Sequence, residues 1–144
     1  MWFLYAILSA IIWGANYLFY EKVLSKISIS TLYFIDLTVG ALVFLLFALF
    51  NNSFIKDLST IQNSKSLLLL VLATVVTSIL ANLFIALAIQ SKNATLSTLI
   101  EISYPIFIIL LAWILFRENN LTPSVLFGGT LIFSGIAIIY YFNQ

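Results

Sequence analysis

Five apolar runs, each long enough to cross a bilayer, take up most of this chain, at about residues 2–20, 29–50, 67–90, 94–116 and 124–142. A membrane-crossing helix needs roughly 20 such residues at 1.5 Å rise per residue, so each run reads as one span. Polar clusters punctuate them: Glu21-Lys22 with Lys26, the stretch 51–66, Ser91-Lys92-Asn93, and the segment from Arg117 to Pro123. With 144 residues in all, little is left outside the spans, and the expected architecture is a single all-α membrane domain over 1–144. Composition agrees: 63% of residues are hydrophobic and only 8% charged, against about a quarter charged in ordinary soluble domains. A water-soluble globule is excluded.

The same composition removes several function classes. A formal charge of +1 supplies no electrostatic footprint for nucleic acid, so no nucleic-acid partner is expected. The sequence has no His and no Cys, which eliminates Ser-His and Cys-His nucleophiles, disulfides and zinc sites of ordinary ligand type. Asp57 and Glu118 fall outside the apolar runs, so a single chain cannot assemble a carboxylate dyad for hydrolysis within the membrane. No enzyme, cofactor or metal is expected. The opening Met1-Trp2-Phe3-Leu4-Tyr5 lacks a positive n-region and reads as a retained helix, not a signal peptide.

An odd number of spans puts the two ends of this unit on opposite membrane sides. Lys22, Lys26 and Lys92 on one side then balance Lys56, Lys65 and Arg117 on the other. Because orientation follows the Lys/Arg bias of short loops, this balance leaves either a weakly determined single topology or insertion in both orientations. The second allows an antiparallel homodimer. The longer connection, with Phe54-Ile55 beside Lys56-Asp57-Leu58, is either a short amphipathic piece at the interface or a polar loop. Thr122-Pro123 marks the start of the last helix, where a missing N–H costs little.

Charged and amide groups at bilayer depth need a reason, since each costs a few kcal/mol or more. Glu101 lies in the fourth run with Ser97 and Thr98 a turn before it and Pro105 a turn after. Pro105 cannot donate to the carbonyl of Glu101, so a helix kink and a free carbonyl are expected beside the carboxyl group. Irregular backbone in lipid lines a cavity, and a carboxyl there can bind a proton or cation in turn; the alternative is a protonated Glu101 tying helices together. Asp36, with Tyr33 and Gly40 a turn either side, is either part of a site or a structural group reaching the interface or a neighbour. Thr74, Thr77, Ser78 and Asn82 form a polar stripe on the third run that serves either helix packing or a solute path, and is expected to face protein or water. Trp13, Gly14, Asn16 and Tyr17 bring a large ring, a close-approach point and an amide together on the first run, and aromatic rings near a carboxylate suit a cationic or aromatic ligand. Trp2, Tyr20, Tyr140 and Tyr141 near span ends are interface anchors. On the fifth run Gly128, Ser134 and Gly135 form a small-residue seam, with the two glycines seven apart and on one face; it serves either a dimer or a contact within the bundle.

Ile12-Trp13-Gly14-Ala15-Asn16 resembles the Trp-Gly-x-Asn opening of EamA-type domains in the drug/metabolite transporter superfamily. Ala86-Leu87-Ala88, Asn93-Ala94-Thr95-Leu96-Ser97, Pro105, Trp113, Glu118, Leu121-Thr122, Gly128 and Gly135 resemble that domain's C-terminal pattern in order and spacing. Most such proteins pair two five-helix halves in inverted repeat around a cavity and export small metabolites or toxic compounds, so the resemblance implies that this unit works as one half, as a homodimer or beside a partner half. The Gly128 to Gly135 spacing is also similar to the dimerising last helix of small multidrug resistance proteins. Many members place an acid directly before the helix-four proline, where this chain has Tyr104, with Glu101 about 60° around the helix. Many also carry an Arg near the place of Asp36; an acidic cavity instead favours cations or zwitterions.

Together these point to a multi-pass transporter in a prokaryotic plasma membrane, moving a small organic solute outward by alternating access as an antiparallel homodimer. Glu101 is the expected proton- or substrate-binding group, with Trp13, Asn16, Tyr104, Asp36, Thr98 and Asn82 as further candidates for the pocket. The rival readings are a non-transporting membrane subunit that packs through its last helix, and a half-subunit that moves lipid.

Overall fold

The computed structural model describes residues 1–118 and 122–143; Leu121 of the Leu121-Thr122 motif lies outside them. All regular structure among the described residues is helical: α1 (Trp2–Leu24), α2 (Ile29–Phe50), α3 (Phe54–Asn63), α4 (Lys65–Ser91), α5 (Ala94–Glu101), α6 (Tyr104–Leu111) and α7 (Pro123–Phe142), with a π-helical turn at Ala112–Phe116 after α6. Five stretches are long and apolar enough to span: Trp2–Leu24, Ile29–Phe50, Lys65–Ser91, Ala94–Phe116 and Pro123–Phe142. Large apolar side chains such as Phe34, Phe44 and Phe127 stand exposed, the expected state of a surface solvated by acyl chains.

Local chemistry sets the ends. Ser28 Oγ accepts the amide of Thr31 at 3.2 Å and starts α2. Asn93 Oδ1 accepts the amide of Leu96 at 2.8 Å and starts α5, and Thr122 Oγ1 does the same for Val125 at 3.3 Å ahead of Pro123 in the first turn of α7. Asn52 turns the chain after α2 with a φ of 52°, a conformation Asn tolerates better than most residues. The connection after it is helical, not a loop: Phe54, Leu58 and Ile61 recur at helical spacing against Lys56, Asp57 and Gln62, which makes α3 amphipathic.

Two differences from the sequence reading stand out. α1 runs through Glu21-Lys22 to Leu24, because the charged pair sits on a turn whose other residues, Tyr20 and Leu24, are buried. The fourth span, expected as one kinked helix, is interrupted at Ile102-Ser103 and ends in a π turn. At the interruption the amide of Ser103 bonds back three residues to Ile100 and that of Ile106 three back to Ser103, while Pro105 has no N–H to give Glu101. At the far end the amide of Glu118 reaches the Ala112 carbonyl at 3.2 Å and Arg117 takes a left-handed conformation, φ 60°, that stops the helix.

The chain forms two compact units, one of Met1–Leu18 with the chain from Ser91 onward, the other of Phe19–Gln90. In the first, Ala94 and Ser97 are buried, Gly129 of α7 lies against Ile106 of α6, and Lys92 Nζ donates to the Asn143 carbonyl at 3.0 Å. In the second, the buried side chains are Tyr20, Leu24, Ile85, Ala86 and Ile89.

Candidate functional site

The first unit contains an open cleft of about 650 Å³, of the size that accepts a small organic solute. One wall is α1. Ala6, Ala10 and Gly14 follow at intervals of four, as do Ser9, Trp13 and Tyr17, so the helix offers a groove of small residues beside a ridge of larger ones. The other wall is the interruption in the fourth span, through Thr98, Leu99, Glu101, Ile102 and Tyr104.

Glu101 is half-buried and is the one formally charged residue among those lining the cleft. Tyr17 donates its phenolic O–H to Glu101 Oε1 at 3.0 Å, across 84 positions of sequence. The Trp13 and Tyr17 rings lie 5.4 Å apart at 32°. Thr98 spends its hydroxyl proton on the Ala94 carbonyl at 2.8 Å, which leaves its oxygen able to accept. Glu101 is also the last residue of α5, where the carbonyl dipoles present partial negative charge. Carboxylate, helix end and ring faces all favour positive charge at this place.

The cleft lining gathers Trp13, Gly14, Tyr17, Thr98, Glu101 and Tyr104 from the residues the sequence singles out and adds Ser9, with Pro105 directly after Tyr104. Asn16 is half-buried on α1 outside that lining. Asp36 and Asn82 belong to the second unit. There, Tyr20 donates to Asp36 Oδ2 at 2.7 Å, the Tyr20 and Tyr33 rings meet edge to face at 5.8 Å, and Tyr33 donates to the Asn82 backbone carbonyl at 2.6 Å. On the stripe of the third run, Asn82 Nδ2 and the hydroxyls of Thr74 and Thr77 donate to carbonyls of their own helix. Tyr20, read as an interface anchor, is instead buried at 6% exposure. Among the described residues, Gly128 and Gly135 have nothing within 4 Å of where a Cβ would stand. Ser134 returns its hydroxyl to the Thr130 carbonyl.

Tyr17 was legible in the sequence, four residues after Trp13 on the same helix face. Its bond to Glu101 was not, since nothing local encodes a partner 84 residues away.

Five apolar spans fit a multi-pass α-helical membrane protein, with a cleft beside its broken fourth span. The model of the EamA-like transporter family matches residues 1–141, and the chain belongs to that family. It is thus a membrane transporter of the drug/metabolite superfamily with a small-molecule substrate, in keeping with the expectation that it is not an enzyme. Comparison with curated proteins and with solved structures gives no significant match.

Proposed function

We propose that the chain exports a small organic metabolite or drug across a prokaryotic plasma membrane by alternating access, with Glu101 binding a proton and the solute in turn. The observation that carries this reading is the Tyr17 to Glu101 hydrogen bond inside a cleft formed where the fourth span breaks. A carboxylate that must release its proton to take solute, and its solute to take a proton, couples the two flows. Trp13, Tyr104 and Thr98 shape the pocket around it, and the interruption before Pro105 gives the fourth span a point at which to bend. Asn16, Asp36 and Asn82 are left outside the binding set. Export, as against uptake, rests on the family likeness.

The working unit in this proposal is an antiparallel homodimer. The balance of three basic residues on each side supports insertion both ways, and the half-buried Gly128 and Gly135, where a Cβ would meet nothing within 4 Å, supply a face on which a second α7 can approach closely.

Coupling is tested in proteoliposomes loaded with a pH-sensitive dye and challenged with a panel of small solutes. The expected result is solute-driven proton movement with the wild-type chain that Glu101→Gln abolishes. Normal coupling in Glu101→Gln would overturn the assignment.

A further inference from the structure

We infer that a groove between α6 and α7 holds one acyl chain of a phospholipid, with the lipid's phosphate on Arg117. The inference is independent of the Glu101 reading and concerns a different face of the same unit.

The groove has a volume of about 310 Å³ and is lined by α6 from Ile106 to Trp113 and by α7 from Val125 to Phe133. A Cβ on Gly129 would stand 3.7 Å from Ile106 Cγ1, so the two helices approach here and the missing side chain leaves the space open. The polar side-chain groups in the lining are the Thr130 hydroxyl and the Trp113 indole N–H. Thr130 donates its proton to the Phe127 carbonyl at 2.8 Å, and Trp113 lies in the last turn of the fourth span, where an indole N–H reaches head-group level. The inner groove therefore has no donor to offer, and hydrocarbon fills it without leaving a polar group unpaired.

The depth of the groove sets the occupant. Val125 is in the first turn of α7 and Phe133 is halfway along it; Trp113 and Ile106 stand likewise near the end and the middle of the span Ala94–Phe116. At 1.5 Å per residue the groove is about 10–12 Å long, running from the membrane surface to the midplane, where one leaflet's hydrocarbon is roughly 15 Å deep. An acyl chain ends at that depth, whereas a helix from a second copy would continue past it. Gly128, on the face given above to a second α7, is also about 100° around the helix from Gly129.

The mouth of the groove suits a phospholipid head. Arg117 follows Trp113 by four positions across the π turn, stands exposed, and forms no ion pair among the described residues. A guanidinium takes a phosphodiester in a two-bond fork, and the neighbouring Glu118 suits the ammonium of an ethanolamine head group. Tyr104, in the cleft lining, lies about 180° around α6 from the groove, so lipid and solute occupy opposite sides of this helix.

The test uses the full chain in detergent micelles, titrated with phosphatidylethanolamine that carries a diazirine midway along one acyl chain, with adducts mapped by peptide mass spectrometry. Labelling is expected to saturate at a single lipid per chain, with adducts concentrated at 106–113 and 125–133. Unlabelled phosphatidylethanolamine should compete about tenfold better than a diacylglycerol with the same chains, the difference that a charge-assisted hydrogen bond confers. Arg117→Asn removes the charge and keeps a residue that tolerates the left-handed turn; it should erase that advantage, and Gly129→Leu should fill the groove and lose the adducts. The wild-type chain alone can overturn the inference, however a variant folds. Adducts spread over exposed apolar faces, such as Phe34 and Phe44 of α2, would make the labelled lipid ordinary solvent. Equal competition by diacylglycerol would remove the phosphate contact, and cross-links between two copies through Leu126 or Phe133 would give the groove to a second chain. An undiminished phospholipid advantage in a folded Arg117→Asn would take Arg117 out of the site.

Discussion

α1 carries two tyrosines three positions apart, and each gives its hydroxyl proton to a carboxylate from a membrane span: Tyr17 to Glu101 at 3.0 Å and Tyr20 to Asp36 at 2.7 Å. The bonds are alike, but the surroundings differ. Tyr17 and Glu101 line an open cleft beside Trp13, next to a backbone that Pro105 keeps from closing into a continuous helix. Tyr20 is buried, braced edge to face by Tyr33, whose own hydroxyl is fixed to the backbone of α4. In the proposed mechanism the first pair exchanges its partner for a solute or a proton, whereas the second ties helices of its unit together. An acid in a membrane span is therefore not a site by itself, since Asp36 is the more exposed of the two; a cleft and a yielding backbone beside the acid make it one.

The sharpest separation of the two pairs comes from neutralising each acid. Glu101→Gln should abolish proton-coupled flux with the chain still folded, while Asp36→Asn should keep most flux and lower the thermal midpoint in detergent; flux and unfolding measured on the same preparations decide it. Loss of coupling in Asp36→Asn at unchanged stability would erase the distinction. Next in size is Pro105→Ala, which restores an amide able to reach the Glu101 carbonyl. Turnover should slow severalfold, and amide exchange at the new position and its neighbours should show protection typical of a continuous helix. A smaller effect is expected of Tyr20→Phe, which strips Asp36 of its buried donor and should cost about 1–2 kcal/mol of stability, against less for Tyr17→Phe at the open cleft. Smallest within the chain should be Gly128→Ala with Gly135→Ala. Neither added Cβ meets an atom within 4 Å, so stability should hold or rise slightly while cross-linking between copies through α7 falls.

How much of this was readable in the sequence follows from the range over which each feature is encoded. Spans and caps are local, so the five apolar runs, the start at Thr122-Pro123 and the placing of Glu101 near Pro105 could all be read from neighbouring residues. The stretch after Asn52 stayed open between loop and interfacial helix because its ten helical residues are too short and too polar for periodicity to decide. The extension of α1 through Glu21-Lys22 was hidden, since a charged pair at a span end reads as a break unless the burial of Tyr20 and Leu24 is known. The π turn at Ala112–Phe116 has no local signature in Ala-Trp-Ile-Leu-Phe; it depends on how Arg117 and Glu118 leave the helix. The two tyrosine partnerships were not legible at all. They are set by packing, which brings together residues that no spacing rule connects.

Carbodiimide modification gives the most direct test of the central claim, that Glu101 and not Asp36 is the exchangeable acid. Such reagents attack protonated carboxyl groups reached through lipid, and peptide mass spectrometry resolves the two positions. We expect the loss of flux to track adducts at Glu101, while adducts at the exposed Asp36 leave flux intact. Modification of Asp36 tracking the loss of flux while Glu101 stays intact would contradict the account.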